Sequence, residues 1–334
     1  MSSKLHGWLA TARIANVPSV ISNVWLGIAL GAWLEDEVPQ QQLFIHGGVL
    51  ALSGVMLYIG GNFFNDWHDR DWDETHRPER ALPSGLFPAQ SYLLQAIRFM
   101  GLGVVVAAMI SVPCMLVALA ICALILIYTR WHKKAVWPVI PMGLCRALLP
   151  VMGFLAVLST GHHRAAWLMT TTATGRTILN PAAFDTARAV GLISLHAAGL
   201  FCWIVGLSLT ARYESIPNPP PGPKSIARAL LFLPVMAMSA WWMRWFPLLT
   251  LLGMIPFFAW MLPLLMRRHS VPVLISGLLA GIPLVECIAS FPIALSQVET
   301  GSNLWRQPIQ ATTLILPVLA FMLGRRLQKV ASAT

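Results

Sequence analysis

Charge is what this sequence is short of. Only 11% of its 334 residues are Asp, Glu, Lys or Arg, against about a quarter in an ordinary soluble domain. So few charged side chains could not cover a globule of this size, which excludes a soluble globular enzyme. An apolar content of 57% excludes a disordered chain. Cysteine is scarce as well: Cys114, Cys122, Cys145, Cys202 and Cys287 all lie in apolar stretches, with no CxxC spacing. They read as small core residues and exclude a secreted disulfide scaffold. No A-x-A cleavage site follows Lys4 and Arg13, so the first apolar segment reads as an uncleaved span.

What the sequence has is apolar length. Its mean hydropathy is +0.67. Ten runs, at 14–34, 43–65, 88–111, 113–130, 136–158, 188–211, 226–244, 246–266, 271–296 and 309–325, are each long enough to cross about 30 Å of hydrocarbon. The expected fold class is all-α: a polytopic integral membrane helical bundle, read as one domain over 1–334. Pro113 and Pro247 mark tight turns between neighbouring spans. The segment 271–296 carries Glu286 and reads either as a span or as a re-entrant segment.

The net charge of +10 would suggest nucleic acid in a soluble protein. Here it reads as the basic bias of cytoplasmic loops, and no nucleic-acid partner is expected. With the N-terminus inside, the inner loops carry Arg70, Arg77, Arg80, Arg130, Lys133, Lys134, Arg212, Lys224, Arg228, Arg267 and Arg268. Ten spans would add Arg325, Arg326 and Lys329. The outer loops hold Arg164, Arg176, Arg188, Arg244 and Arg306, the acidic run Glu35-Asp36-Glu37, the polar stretch 159–187 and His162-His163. The asymmetry favours this orientation and an even number of spans.

One region departs from the rest. Six of the 13 acidic residues, Asp66, Asp69, Asp71, Asp73, Glu74 and Glu79, fall within 14 positions at the end of the second span. On a helix Asp66, Asp69 and Asp73 share an arc of about 60°, with Asn65 beside it and Asp71 on the opposite side. Three carboxylates on one face repel one another in low dielectric unless cations occupy the face. An oxygen-only donor set suits Mg²⁺, which often bridges protein carboxylates to substrate phosphates. Asp71, Glu74 and Glu79 read as solvated, pairing with Arg70, Arg77 or Arg80. His68 and His76 have no partner at metal-ligand spacing.

Asn65-Asp66-x-x-Asp69-x-x-x-Asp73 resembles the NDxxDxxxD motif of the UbiA superfamily of intramembrane prenyltransferases. Arg77-Pro78 and Leu82-Pro83-Ser84-Gly85 resemble the family's continuation, and Arg13 with Ser22-Asn23 resembles its start. The likeness covers about 10–296. It implies a UbiA-like bundle of nine core spans, to which a helix at about 309–327 would be an addition. It implies Mg²⁺ on Asp66, Asp69 and Asp73, holding the diphosphate of an isoprenyl donor. It also implies Tyr128, Arg130, Lys133 and Lys134 near that diphosphate, though a positive-inside loop would look the same. The family has an arginine in the span that carries Arg146, a charge placed two turns into hydrocarbon, which is a functional-site hypothesis by default. Asn23 faces either the pocket or a neighbouring helix. Arg98 and Glu286 are intramembrane without a motif.

The sequence departs from the family where a second aspartate motif usually follows the sixth span. There it reads Leu207-Ser208-Leu209-Thr210-Ala211-Arg212-Tyr213-Glu214-Ser215, an ending similar to that of an EboC-like branch. Either Glu214 holds a second Mg²⁺ with Arg212 adding positive charge, or the acceptor or chemistry differs, or catalysis is lost, or the two are a juxtamembrane ion pair.

The expected function is Mg²⁺-dependent transfer of an isoprenyl group from an isoprenyl diphosphate to a small aromatic or polyol acceptor, with diphosphate released. The bilayer would hold the tail, and the active site would face the cytoplasm of a bacterial inner membrane. The expected catalytic residues are Asp66, Asp69, Asp73 and Glu214. The expected substrate-binding residues are Asn65, Arg77, Arg80, Tyr128, Lys133, Lys134, Arg146, Arg212, Asn23 and Arg13. A cyclase acting on the prenyl diphosphate alone and a secondary transporter are the alternatives.

Overall fold

A computed structural model describes residues 3–34, 38–160, 169–171, 177–179, 181–214, 221–267, 269–299 and 308–331. Glu35-Asp36-Glu37, His162-His163, Arg164, Arg176, Arg268 and Arg306 lie outside these, as do the side chains of Arg188 and Glu214.

The helices are α1 (Ser3–Thr11), a 3-10 turn (Ile14–Asn16), α2 (Val17–Leu34), α3 (Gln40–His68), α4 (Arg70–His76), α5 (Ala89–Ala108), α6 (Val112–Trp131), α7 (Val139–Leu158), α8 (Pro181–Glu214), α9 (Pro221–Met243), α10 (Pro247–Met266), α11 (Val271–Ala280), α12 (Ile282–Glu299) and α13 (Pro308–Leu327). Ten of the described segments are long and apolar enough to span a membrane, α11 and α12 together forming one. Their outer faces expose Ile97, Val105, Leu116, Met236, Leu248 and Ile255, the apolar surface that lipid would cover. The chain is therefore a multi-pass integral membrane protein.

The prolines stand where the turns need them. Pro113 occupies the first turn of α6, with the Ser111 hydroxyl accepting the Cys114 N–H at 3.3 Å, and Pro247 opens α10. Two departures from the sequence reading concern irregular backbone. A short antiparallel ribbon, β1 (Met169–Thr171) with β2 (Thr177–Leu179), interrupts the polar stretch before α8 and pairs Thr170 with Ile178. The ninth span is broken at Gly281, because Pro283 in the following turn has no N–H to donate and restrains the residue before it.

The bundle is organised around α2, in which fourteen of 18 residues are buried. Val20, Val24, Trp25 and Ile28 join a core with α3, α6 and α7. Leu26, Ala29 and Leu30 join a second core with Trp203, Trp242 and Phe257 of α8, α9 and α10. Gly27 and Gly31 form a small-xxx-small stripe that lets α7 approach closely. A Cβ at Gly27 would stand 1.9 Å from the Pro150 carbonyl oxygen, and one at Gly153 would stand 2.2 Å from that of Val24. This contact fixes α2 against α7, and with it the residues that face the cavity.

Candidate functional site

A cavity of about 520 Å³ opens among the turn at Arg13 and Asn16, α3, α6, α7, α8 and the α11–α12 break, within the size range of small-molecule sites. Its walls are largely aliphatic: Leu57, Ile121, Ile125, Leu149, Ile204 and Ile282 among others. Its aromatic lining is two of the chain's four tyrosines, Tyr58 and Tyr128, with the ring of His132. Five arginines line it, Arg13, Arg77, Arg80, Arg146 and Arg212, and among the described residues no carboxylate does.

The acidic cluster stands behind the cationic mouth. Asp66, Asp69 and Asp73 are buried, at 8%, 5% and 2% exposure, while Asp71, Glu74 and Glu79 are exposed. The helical-face expectation therefore separates them correctly, although the helix is not continuous. Asp69 has φ −86° and ψ 0°, ending α3 and starting α4. The ladder survives the bend, because the Asp69 N–H still reaches the Asn65 carbonyl at 2.9 Å and the Asp73 N–H that of Asp69 at 2.9 Å.

Cations hold the three carboxylates. Arg80 lies 2.7 Å from Asp73 Oδ2 and 3.6 Å from Asp66 Oδ1, joining the two. Lys133 Nζ lies 3.1 Å from Asp69 Oδ2 and 3.8 Å from Asp73 Oδ1, and sits 3.8 Å over the Trp72 ring. Arg13 completes the mouth at 3.5 Å from Asp66 Oδ1 and donates to Asn62 Oδ1 at 3.0 Å. It does so from a left-handed backbone (φ 46°), uncommon for a residue with a side chain. The only other described residue in that region is Gly85 (φ 72°), where the turn after Leu82-Pro83-Ser84 needs a residue without Cβ.

His132 donates to Asp69 Oδ2 at 3.0 Å and stacks on the Tyr128 ring with centroids 4.9 Å apart. Burial pushes the Asp69 carboxyl up. The hydrogen bond and charge of His132, then those of Lys133, outweigh it and hold Asp69 below the ordinary carboxylate range. On the far side of the mouth, Arg212 donates to the Ala135 carbonyl at 2.8 Å and the His132 carbonyl at 3.5 Å, tying α8 to the α6–α7 loop.

The donor set suits a hard divalent cation. It is oxygen-only, and two of its oxygens, Asp73 Oδ1 and Asn65 Oδ1, are buried without a hydrogen-bond partner. With Arg80 and Lys133 between the carboxylates, however, no three Asp, Glu, His or Cys side chains among the described residues converge on one ion.

The structure thus brings Asp66, Asp69, Asp73, Asn65, Arg13, Arg77, Arg80, Tyr128, Lys133, Arg146 and Arg212 to the cavity or its rim. It does not bring Lys134, which is exposed and lies over Trp131. Asn23 faces a neighbouring helix and not the cavity, donating to Glu286 of α12. Glu214 ends α8, with its side chain outside the described residues. Sequence reasoning missed His132, Asn62, Asn16 and Tyr58. The signal for His132 was its i+4 spacing from Tyr128 beside Lys133.

The sequence model of the UbiA prenyltransferase family matches residues 24–203. A digeranylgeranylglyceryl phosphate synthase of Methanothrix thermoacetophila is 34% identical over 90 residues, 27% of this chain and 34% of the relative. One from Pyrococcus abyssi is 32% identical over 117 residues, 34% of this chain and 42% of the relative. The matches thus span less than half the length of these relatives. The apo structure of a UbiA homologue from Aeropyrum pernix K1 shares the fold at TM-score 0.51 and 13% identity, over 94% of this chain and 98% of that one. With more than half of its residues matched by the family's sequence pattern, the chain belongs to the UbiA prenyltransferase family.

Proposed function

We propose that the chain transfers an isoprenyl group from an isoprenyl diphosphate to a small aromatic or polyol acceptor, with its reactive mouth at the cytoplasmic membrane surface. The observation that carries this reading is the pairing of an apolar-walled cavity with an arginine-rich mouth backed by three buried aspartates.

The donor's tail lies among the aliphatic walls, where each buried CH₂ contributes about 0.8 kcal/mol. Its diphosphate sits at the mouth among Arg13, Arg77, Arg80 and Arg212. Asp66, Asp69 and Asp73 would hold Mg²⁺ there, which when bound supplies Lewis-acid stabilisation of the leaving diphosphate. The prenyl C–O bond breaks with its electron pair leaving on diphosphate, and the arginines stabilise that charge. The allylic cation is shielded from water by the aliphatic walls, and the Tyr58 and Tyr128 rings face it with their negative π surfaces. The acceptor's nucleophilic atom forms the new bond and gives up its proton to the released diphosphate or to water at the mouth. His132 and Lys133 keep Asp69 ionised, and Arg80 keeps Asp66 and Asp73 on the same side.

The test is diphosphate release and product analysis with purified protein, prenyl diphosphates of several lengths, Mg²⁺ and a panel of acceptors. Asp66→Ala, Asp69→Ala or Asp73→Ala should lower release by at least 100-fold, while Asp71→Ala stays within about threefold, in the range expected for losing a group that stabilises transition-state charge. Equal loss at all four positions, or release indifferent to Mg²⁺, would contradict the reading. A product formed without any acceptor would replace transfer with cyclisation.

A further inference from the structure

Arg98 faces outward near the middle of a span. It lies nine residues into α5 from Ala89, about 14 Å along a helix about 30 Å long. It is exposed, and its neighbours on the exposed face are Leu94, Ile97, Leu102 and Val105, with Gly101, where a Cβ would meet nothing within 4 Å. Among the described residues it makes no side-chain hydrogen bond or ion pair. An arginine at this depth is costly unless something covers it or its guanidinium reaches back to the membrane surface.

The helix sets the direction of that reach. Cα–Cβ bonds tilt toward a helix's N-terminus, which in α5 is the side of the aspartate mouth, so the Arg98 side chain leans over Leu94 and toward Gln90, one and two turns back. There a second cavity, of about 350 Å³, opens between the end of α3 and the start of α5, lined by Trp67, Arg70, Gln90, Leu93, Leu94 and Ile97. Arg70, the first residue of α4, lines it from the wall opposite α5. Its guanidinium lies 5.2 Å over the Trp67 ring and donates to the Trp67 carbonyl at 3.1 Å. It also pairs with Asp71 at 3.3 Å, but the Asp71 side chain is 80% exposed, and such surface pairs hold weakly. Two guanidiniums against one solvated carboxylate leave the rim of this groove positive, while Leu93, Leu94 and Ile97 make its floor aliphatic.

We propose that this groove binds an anionic phospholipid, its phosphate held between Arg70 and Arg98 and its acyl chains laid along Leu94, Ile97 and Val105. The planar guanidinium fork matches a phosphate, and the aliphatic floor fits the chains that a free phosphate lacks. A second copy of the chain would bring no counter-charge to this depth. Of the ten spans, only Gln40–His68, which ends on the aspartates, and Val271–Ser296, which holds the buried Glu286, carry a carboxylate. The groove shares no lining residue with the central cavity, so the inference stands apart from the prenyl-transfer reading.

The experiment is native mass spectrometry of the full-length protein in neutral detergent, titrated with phosphatidylglycerol or with phosphatidylcholine of the same acyl chains. Phosphatidylglycerol should bind at least about tenfold more tightly, the scale of charge-assisted hydrogen bonds to phosphate. Arg70→Gln and Arg98→Gln should each remove most of that preference. Arg267→Gln, which deletes an exposed cation at the end of α10, should leave it within about twofold. Millimolar inorganic phosphate should not displace the lipid, and displacement would overturn the proposal in favour of a free anion. Equal binding of the two lipids, or an undiminished preference in Arg70→Gln or in Arg98→Gln, would also overturn it. So would a dimer that persists with the lipid bound and is lost in Arg98→Gln, which would give this face to a second copy. Arg70 lies at the surface, so Arg70→Gln and the wild-type preference decide if Arg98→Gln does not fold.

Discussion

Asp69 is pulled in two directions, and the balance makes a measurable prediction. Its burial favours the protonated acid, while His132 and Lys133 favour the carboxylate and prevail. Removing His132 leaves burial less opposed, so Asp69 takes up its proton at a higher pH. If diphosphate release needs ionised Asp69, the acid limb of its pH profile in His132→Ala should move upward, because a hydrogen bond to the charged form is lost while burial remains. An unmoved acid limb would mean that His132 does not support the carboxylate. The aspartates themselves were legible in the sequence because periodicity separates Asp66, Asp69 and Asp73 from Asp71. His132 was not, because its i+4 spacing from Tyr128 does not say which side chain its ring meets, and only the folded end of α6 puts that ring against Asp69. Nor could spacing tell that Asn23 turns to α12, since one polar residue in an apolar span has the same pattern whichever neighbour it faces.

Between elements, the contact that positions the inner part of the cavity is α2 on α7. Gly27→Ala would push a methyl into the Pro150 carbonyl and the Phe154 amide. The helices must then separate, which costs about 1–3 kcal/mol by the usual scale of overpacking. Gly48 on α3 is exposed, and a methyl there would meet nothing within 4 Å, so Gly48→Ala serves as a control and should be neutral or slightly stabilising, by up to about 1 kcal/mol of helix propensity. Thermal unfolding in detergent, followed by size exclusion, should show a lower melting temperature for Gly27→Ala alone. Equal melting of the two variants would mean that the close approach is dispensable. The spans were readable because each long apolar run is by itself enough to specify a helix in lipid, whatever its neighbours. The irregular points were not: the bend at Asp69, the left-handed Arg13 and the break at Gly281 arise from contacts and proline sterics that hydropathy does not register.

For the molecule as a whole, the open question from the sequence was nine spans or ten, and α13 bears on it directly. Trp25 Nε1 donates to Thr313 Oγ1 at 3.3 Å, and the Ile309 N–H donates to Gln40 Oε1 at 3.3 Å, seating the first half of α13 against α2 and the start of α3. At its other end a Cβ on Gly324 would lie 3.1 Å from the Ala15 carbonyl, in the turn between Arg13 and Asn16, and Gln328 donates to the Ser276 carbonyl at 2.9 Å. The start of α13 thus lies beside the start of α3, and its end lies beside the aspartate mouth, so the helix runs the full depth of the bundle. Arg325 and Arg326, in its last turn, then fall on the side that already carries Arg77, Arg80 and Lys133, as the basic bias of inner loops requires. Tags placed at both ends of the chain should therefore be digested together when the inner face of a membrane vesicle is exposed, and protected together when it is sealed. Protection of one tag with digestion of the other would put the ends on opposite sides. It would demand an odd number of crossings, and it would detach α13 from the side of the site against which it packs.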